Sequence, residues 1–223
     1  MKDERLKIAL VVNLYPPYVV GGNEVLARDV VEALRARGHT VDVLTGRGRA
    51  FAGMPFIHPV LGLDLDRKDE FFLGARPLTL ADGMRHHVHD QATYRGVRAA
   101  LDALRPDLVV AWNLYGASMA PLLAARRGQA PVVAQPADKW LLHGLYDGVP
   151  ASAATPRGLG WMGALCRPLL RRLGRPDYVL AVSRFIRDLH MRAGFPSERA
   201  AATYLGVPTG LFPARRDLSL IHI

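Results

Sequence analysis

The chain has a single cysteine, Cys166, among its 223 residues. One thiol excludes an internal disulfide, and it excludes any CxxC metal or redox site. It stands in the apolar stretch Trp161-Met-Gly-Ala-Leu-Cys166, where a buried, inert thiol is the expected role. Long hydrophobic runs are missing as well: no segment approaches the roughly 20 apolar residues of a membrane-spanning helix. The opening Met1-Lys-Asp-Glu-Arg5 is charged and passes straight into a strand-like segment, which is not the pattern of a signal peptide. A cytoplasmic protein is expected, and peripheral contact with a membrane is compatible with that. Internal repeats and low-complexity linkers are absent too, so one domain is the better count.

Acidic residues are in short supply. Asp and Glu total 20 against 29 Lys and Arg, a formal net charge of +9, and the isoelectric point is near 10.2. Nucleic acid, an anionic membrane surface and a phosphorylated small molecule would each suit that charge. A compositional bias toward arginine explains the same number with no partner at all. A recognition-helix signature and an aromatic stacking platform are both lacking, which argues against nucleic acid.

What is present is the alternation of an α/β protein. Half of the residues are hydrophobic and 22% are charged. The mean hydropathy of +0.07 suits strands buried on both faces. Residues 6–13 form a near-continuous aliphatic run, the mark of a buried parallel strand. Beyond Gly21-Gly22, Leu26, Val30 and Leu34 recur every fourth residue, with Glu24, Arg28, Glu32 and Arg35 on the other face. That pattern predicts an amphipathic helix closed by Gly38. Further strands are expected at 40–45, 108–112, 131–135, 178–182 and 201–205. Helices are expected at 81–104, 118–127, 161–173 and 184–193, with an irregular stretch over 138–158. The alternation predicts a doubly wound, Rossmann-like parallel sheet with right-handed crossovers.

Ligands of such sheets bind at the carboxyl ends of the strands. Candidate positions are therefore 13–22, 45–49, 113–116, 135–140 and 183–184. Gly21-Gly22 precedes a helix N-terminus, where unpaired N–H groups and the helix dipole attract an anion. The competing explanation is a plain turn that needs glycine for a positive φ. The spacing departs from GxGxxG, and no acidic residue ends the second strand, so a dinucleotide cofactor is not expected. The basic Gly46-Arg-Gly48-Arg49 is read as a solvated loop. Asp138 could accept hydroxyl hydrogens from a sugar or act as a base, or it could cap a turn. Asn113 carries the same ambiguity, and Ser183 equally suits an N-cap.

Two clusters remain. His86, His87 and His89 lie at i, i+1, i+3, a spacing that does not turn all three toward one metal, so they are read as a surface cluster. Arg167, Arg171, Arg172 and Arg175 accompany Trp161, Met162, Leu165, Leu169 and Leu170. A basic amphipathic helix of this kind can lie on an anionic membrane. A core-packed helix with a solvated arginine face is the preferred reading, with Pro168 imposing a kink or a late start.

Placed together, these segments resemble the N-terminal domain of glycosyltransferase family 4, retaining enzymes of the GT-B architecture. Lys7-Ile-Ala-Leu-Val-Val-Asn13, Gly21-Gly22-Asn23-Glu24 and Leu34-Arg-Ala-Arg-Gly38-His39-Thr-Val41 are similar to its first strand, glycine loop and Gly-His turn. Pro106-Asp-Leu-Val-Val-Ala-Trp-Asn113-Leu-Tyr-Gly116 is similar to its fourth-strand segment. Pro131-Val-Val-Ala-Gln-Pro-Ala-Asp138-Lys-Trp140 resembles its His-Asp-x-Trp stretch. Tyr178-Val-Leu-Ala-Val-Ser183-Arg-Phe-Ile-Arg187 and Tyr204-Leu-Gly206 resemble the approach to the interdomain linker.

The resemblance implies that residues 1–212 are one GT-B half-domain on the acceptor side of a catalytic cleft. It implies a nucleotide-sugar donor, a hexose-type sugar and a glycan or lipid-linked acceptor, with no metal and no other cofactor. Gly21 and Gly22 would approach the donor phosphates; Asn23, Glu24, Asn113, Trp140, Ser183 and Arg184 would line the cleft; Asp138 would be the catalytic residue. In such retaining enzymes the donor's own phosphate is thought to help deprotonate the acceptor. The chain departs from the family where Ala137 replaces the histidine before the aspartate, and where Ala111 and Trp112 stand in place of another. The tail 213–223 resembles nothing in the family, and truncation or a frame change is expected there, with the donor domain missing. The rival reading is a non-catalytic subunit that docks a partner chain or a membrane surface.

Overall fold

The computed structural model describes residues 4–67, 79–147 and 159–206. The tail at 213–223 and the residues at 148–158 lie outside them. The described chain builds one seven-stranded sheet of β1 (Lys7–Val11), β2 (Thr40–Arg47), β3 (Ile57–Asp64), β4 (Leu108–Ala111), β5 (Val132–Ala134), β6 (Tyr178–Ala181) and β7 (Ala200–Ala202). The spatial order is β3-β2-β1-β4-β5-β6-β7, and every pairing is parallel. Strand order reverses between β1 and β4, which makes that junction the topological switch point of the sheet. Ile8, Ala9, Leu10 and Val11 of β1 are all buried, as a strand covered on both faces requires. The doubly wound α/β architecture expected from the alternation is the one observed.

Among the described residues the longer helices that flank the sheet are α1 (Gly22–Ala36), α2 (Leu80–His87), α3 (Gln91–Leu104), α4 (Ala120–Arg126), α5 (Leu159–Gly174) and α6 (Arg184–Arg192). As expected, α1 ends at Gly38, whose φ of 89° is left-handed. The Gly38 N–H donates to the Arg35 carbonyl at 2.9 Å and the His39 N–H to the Leu34 carbonyl at 3.2 Å, the paired bonds of a Schellman closure. Two Arg-Pro-Asp triplets, at 105–107 and 175–177, open β4 and β6 by the same device. The Asp107 carboxylate accepts the Lys7 N–H at 2.7 Å, and the Asp177 carboxylate accepts the Val132 N–H at 2.8 Å. Each aspartate thereby locks its strand to the neighbour's start.

Several elements differ from the sequence expectation. β3 carries no strand signal because Pro59 and Gly62 interrupt its apolar run. It is one of the two edge strands, where a proline that cannot donate is tolerated. Its Gly62 N–H donates to Thr93 Oγ1 at 2.6 Å, bringing α3 close against it. The single helix expected over 81–104 is two. Asp90 accepts the Ala92 and Thr93 N–H groups at 3.3 and 3.2 Å, and this cap starts α3 afresh. In α1 the buried line is Glu24, Ala27 and Val31, so Glu24 faces inward rather than to solvent. Gly46-Arg47 continues β2 with Gly46 buried, so the solvated-loop reading fails for that half of the segment, while Gly48-Arg49 leaves the strand and both arginines are exposed. The start of the stretch expected to be irregular coils into a short helical turn, Trp140–Leu142, and a wide turn, His143–Asp147.

α5 runs on through Pro168 instead of starting late. Only part of its apolar surface is packed. Leu170 is buried and Cys166 is half-buried against the core, whereas Trp161, Leu165 and Leu169 face outward. The core-packed reading of this helix therefore fails for those three residues.

Candidate functional site

The strand tips at the switch point are tied by side chains. The Asn13 N–H donates to the Asn113 carbonyl at 2.7 Å, joining the ends of β1 and β4. Asn13 Nδ2 donates to the Tyr115 carbonyl at 2.8 Å, while Asn13 Oδ1 accepts the Leu14 N–H at 2.8 Å. Asn113 Oδ1 accepts the Tyr115 N–H at 3.0 Å, and Thr45 Oγ1 donates to the Asn13 carbonyl at 3.3 Å from the tip of β2. Asn113 is thus buried and its amide oxygen turns the local chain. The turn-forming alternative holds for it.

From this anchor the chain after β1 reaches Tyr18, whose ring lies edge-on to Phe51 at 5.1 Å and directly over Gly48. It then enters α1 through Gly21 and Gly22, both exposed. Gly21 has φ −152°, an extended conformation open to any residue, and Gly22 is not in the left-handed region. A Cβ on Gly22 would meet nothing within 4 Å, and one on Gly21 would meet only Glu24 Oε2 at 4.0 Å. Neither backbone strain nor packing asks for glycine here, so the plain-turn explanation is not the reason these residues lack a side chain. Gly46, Gly48, Gly62 and Gly96 are the opposite case, with a Cβ at each coming within 3.0 Å of a neighbour.

Glu24 occupies part of this helix start. Its Oε2 accepts the Gly21 N–H at 2.7 Å and the Val20 N–H at 3.3 Å, the reciprocal arm of a capping box. Its role is to hold the glycine loop, and a ligand at this end of α1 would meet the N–H groups of Gly22 and Asn23 instead.

Beyond β5, Asp138 is exposed and its Oδ1 accepts the Trp140 N–H at 2.7 Å, as a turn cap does. That bond seats Trp140, which is buried and forms one wall of a hollow. The other walls are His86, His87, Leu114, Tyr115, Gly116, Ser118, Met119, His143 and Gly144. Its free space is about 30 Å³, enough for about two waters and too small for a sugar ring. The lining does not include Gly21, Gly22, Asp138 or Ser183. Ser183 Oγ accepts the Ile186 N–H at 3.2 Å and is the N-cap of α6, beside an exposed Arg184.

The histidines correct the sequence reading most plainly. His86 Nδ1 lies 3.0 Å from the Gly116 carbonyl and must carry the proton of that bond. Burial pushes the His86 imidazolium below the usual histidine range. Burial, then the neighbouring His86, brings His87 down to about 4. Both are therefore neutral at pH 7 and stand at the carboxyl edge of the sheet, not in a surface cluster. Among the described residues, no group of three or more His, Cys, Asp or Glu could hold a metal ion.

The buried Nε1 of Trp112, Nε1 of Trp140 and Oε1 of Gln135 have no hydrogen-bond partner. All three follow β4 or β5, and such orphaned groups are uncommon enough to need a reason. All the candidate residues thus stand beyond the carboxyl ends of β1, β4, β5 and β6, on one edge of the sheet. Trp140 lines the hollow; Gly21, Gly22, Asn23, Glu24, Asp138, Ser183 and Arg184 do not, and share with it only this edge of the sheet.

A sequence model of glycosyltransferase family 4 matches residues 20–211. A Klebsiella pneumoniae protein described as an uncharacterized 42.6 kDa protein in the cps region is 26% identical over 208 residues, covering 85% of this chain and 52% of that protein. The lipopolysaccharide outer core galactosyltransferase WaaB is 14% identical with a TM-score of 0.51, over 90% of this chain and 46% of that one. UDP-GlcNAc 2-epimerase from Neisseria meningitidis, bound to UDP-GlcNAc, is 13% identical with a TM-score of 0.52, over 88% and 46%. At such identities these two structures establish the shared fold alone. The chain spans about half the length of the relatives it matches. Since the family match takes in most of its residues, the chain belongs to glycosyltransferase family 4.

Proposed function

We propose that residues 1–212 are the acceptor-side half-domain of a retaining, nucleotide-sugar-dependent glycosyltransferase that passes a hexose-type sugar to a glycan or a lipid-linked acceptor. The observation that carries this reading is the pair Gly21-Gly22: two glycines that neither conformation nor packing requires, at the start of a 15-residue helix. Gly21 is the N-cap of α1, where glycine is favoured in its own right; for Gly22 room for a ligand is a reason that neither conformation nor packing supplies. The positive end of α1 and the N–H groups of Gly22 and Asn23 suit the diphosphate of a nucleotide sugar. The net charge of +9 agrees with an anionic donor.

The acceptor lies across the rim from the glycine loop. Its hydroxyl is received near Asp138, which is exposed at the turn that seats Trp140. Asp138 assists removal of the hydroxyl proton, the donor phosphate taking the rest of that task, and no metal ion takes part. The nucleotide itself is gripped by a second domain, and the location is the cytoplasm, with peripheral contact at a membrane compatible with it.

Ala137, where the family has histidine, favours a second reading: a half-domain that binds the acceptor and leaves chemistry to a partner chain. The two readings separate in one experiment. The 223-residue chain is assayed for sugar transfer alone and after fusion to the C-terminal half of a family 4 relative. Transfer by the fusion but not by the chain supports the proposal. Failure with UDP- and GDP-sugars alike, in a fusion that folds, favours the binding subunit.

A further inference from the structure

A groove opens at the amino edge of the sheet, away from the candidate site, where β4 and β5 begin. It lies between the C-terminal ends of α3 and α4, which pack side by side, and the buried Leu101, Val109 and Ala125 form its apolar lining. Its free space is about 740 Å³, within the roughly 300–1,000 Å³ of small-molecule sites. Three arginines border it, Arg98, Arg105 and Arg127, against one carboxylate, Asp102.

The arginines differ in what they do for the fold. Arg98 pairs with Asp102 one turn along α3, and a Cβ on Gly128 would come within 3.2 Å of its Nη1. Arg105 and Arg127 are exposed, and among the described residues neither guanidinium has a hydrogen bond or an ion pair. Arg126, next to Arg127, is by contrast paired with Asp177. A cation at a helix C-terminus has one ordinary reason, attraction to the negative end of the dipole. That attraction is strongest where the side chain bonds the last carbonyls, and these two arginines make no such bond among the described residues.

Arg105 also holds a costly backbone. As the C-cap of α3 it has φ 49° and ψ 60°, a left-handed conformation that glycine adopts freely and arginine does not. The matching Arg-Pro-Asp triplet at 175–177 shows the alternative. Arg175 is not left-handed, and its guanidinium sits over the Phe195 ring at 5.0 Å. One triplet uses its arginine inside the fold; the other presents it to the groove.

Guanidinium forks match phosphate oxygens in pairs. Two unpaired forks, one at the end of each helix, suit an anion with more than one charged group. A hollow backed by apolar side chains suits a small molecule better than the length of a nucleic acid. We propose that this groove binds a diphosphate group, inorganic or carried on a small organic molecule, with Arg105 and Arg127 taking phosphate oxygens and Arg98 in support. The inference stands on the amino edge of the sheet and holds whether or not the glycine loop at the other edge meets a sugar donor.

The full chain is titrated by calorimetry with pyrophosphate, ADP and orthophosphate at ionic strength matched with sodium chloride. Gly21→Ala with Gly22→Ala is titrated beside it, so that a diphosphate held at the glycine loop is told apart. The expected result is saturable binding of pyrophosphate, about tenfold or more tighter than orthophosphate, that persists in the glycine variant and raises the unfolding temperature. ADP binding more tightly than pyrophosphate assigns the site to an organic diphosphate; equal affinities assign it to the inorganic one. Arg105→Gln with Arg127→Gln should lower the affinity by about tenfold or more and leave unfolding without ligand unchanged, since neither side chain has a partner to lose. Arg105→Gly separates binding from stability: glycine accepts the left-handed cap, so this variant should unfold at or above the parent temperature while binding more weakly. Three results would overturn the proposal: pyrophosphate bound no more tightly than orthophosphate, parent affinity in the double arginine variant, or binding lost in the glycine variant and kept in the arginine one. The last would assign the diphosphate to the glycine loop.

Discussion

Asn13 and Asn113, 100 residues apart in the chain, hold the tips of β1 and β4 together through a 2.7 Å bond from the Asn13 N–H to the Asn113 carbonyl. The two side chains then fix the loops that leave those strands, Asn13 through Leu14 and Tyr115 and Asn113 through Tyr115 alone. The junction is the point where strand order reverses, so the candidate site is built around this pair. Asn13→Ala should leave the Leu14 N–H and the Tyr115 carbonyl without their partner, lowering stability by about 2–4 kcal/mol. Urea unfolding of the variant and parent chains measures it. A change below about 0.5 kcal/mol would mean that water replaces the side chain at no cost.

Asp138 has a structural task and a proposed chemical one, and the two can be separated. Asp138→Asn keeps an oxygen for the Trp140 N–H and should fold with parent stability. It should nevertheless lower sugar transfer by the fused enzyme about a hundredfold or more, the range of a lost proton acceptor. Asp138→Ala should lose the cap as well, at about 0.5–2 kcal/mol. Equal turnover by parent and Asp138→Asn would reduce the residue to a turn cap.

The sheet was legible because buried parallel strands announce themselves. Residues 6–13, 108–112, 131–135 and 178–182 are short apolar runs, and each has a strand within it. β3 was hidden by Pro59 and Gly62, which an edge strand tolerates and a pattern search treats as breakers. The division between α2 and α3 has no proline or glycine to mark it; its signal is the Asp90 cap, overridden by periodicity on both sides. Glu24 was misplaced because a charged residue in an amphipathic pattern is assigned to solvent, whereas a carboxylate in the first turn can fold back on the helix start. The reverse holds in α5, where apolar spacing predicts core and three large residues lie outside. Rim positions followed from strand ends alone. The niche of His86, His87 and Trp140 did not, because it depends on α2 packing over the Gly116 turn, a contact between segments 30 residues apart.

His87 makes the acid side of the stability curve specific. Its folded pKa of about 4 lies below the ordinary 6.5, so the unfolded chain takes up its proton first. Stability from this group is intact above pH 6.5 and is lost as pH falls from there toward 4. By pH 5 the loss should reach about 2 kcal/mol. His87→Gln should therefore lose less stability between pH 7 and pH 5 than the parent by about that amount. Urea unfolding at the two pH values decides it, and identical slopes would mean that His87 is not buried as a neutral ring.

The glycine pair carries the functional reading, and it admits a direct test. Gly21→Ala with Gly22→Ala adds two methyl groups where nothing in the fold obstructs them. Thermal unfolding of the chain and nucleotide-sugar turnover by the fused enzyme are measured side by side. The account predicts stability within about 0.5 kcal/mol of the parent and turnover lowered by about tenfold or more, as methyl groups block the diphosphate from the start of α1. Parent-level turnover in the folded double variant would contradict it.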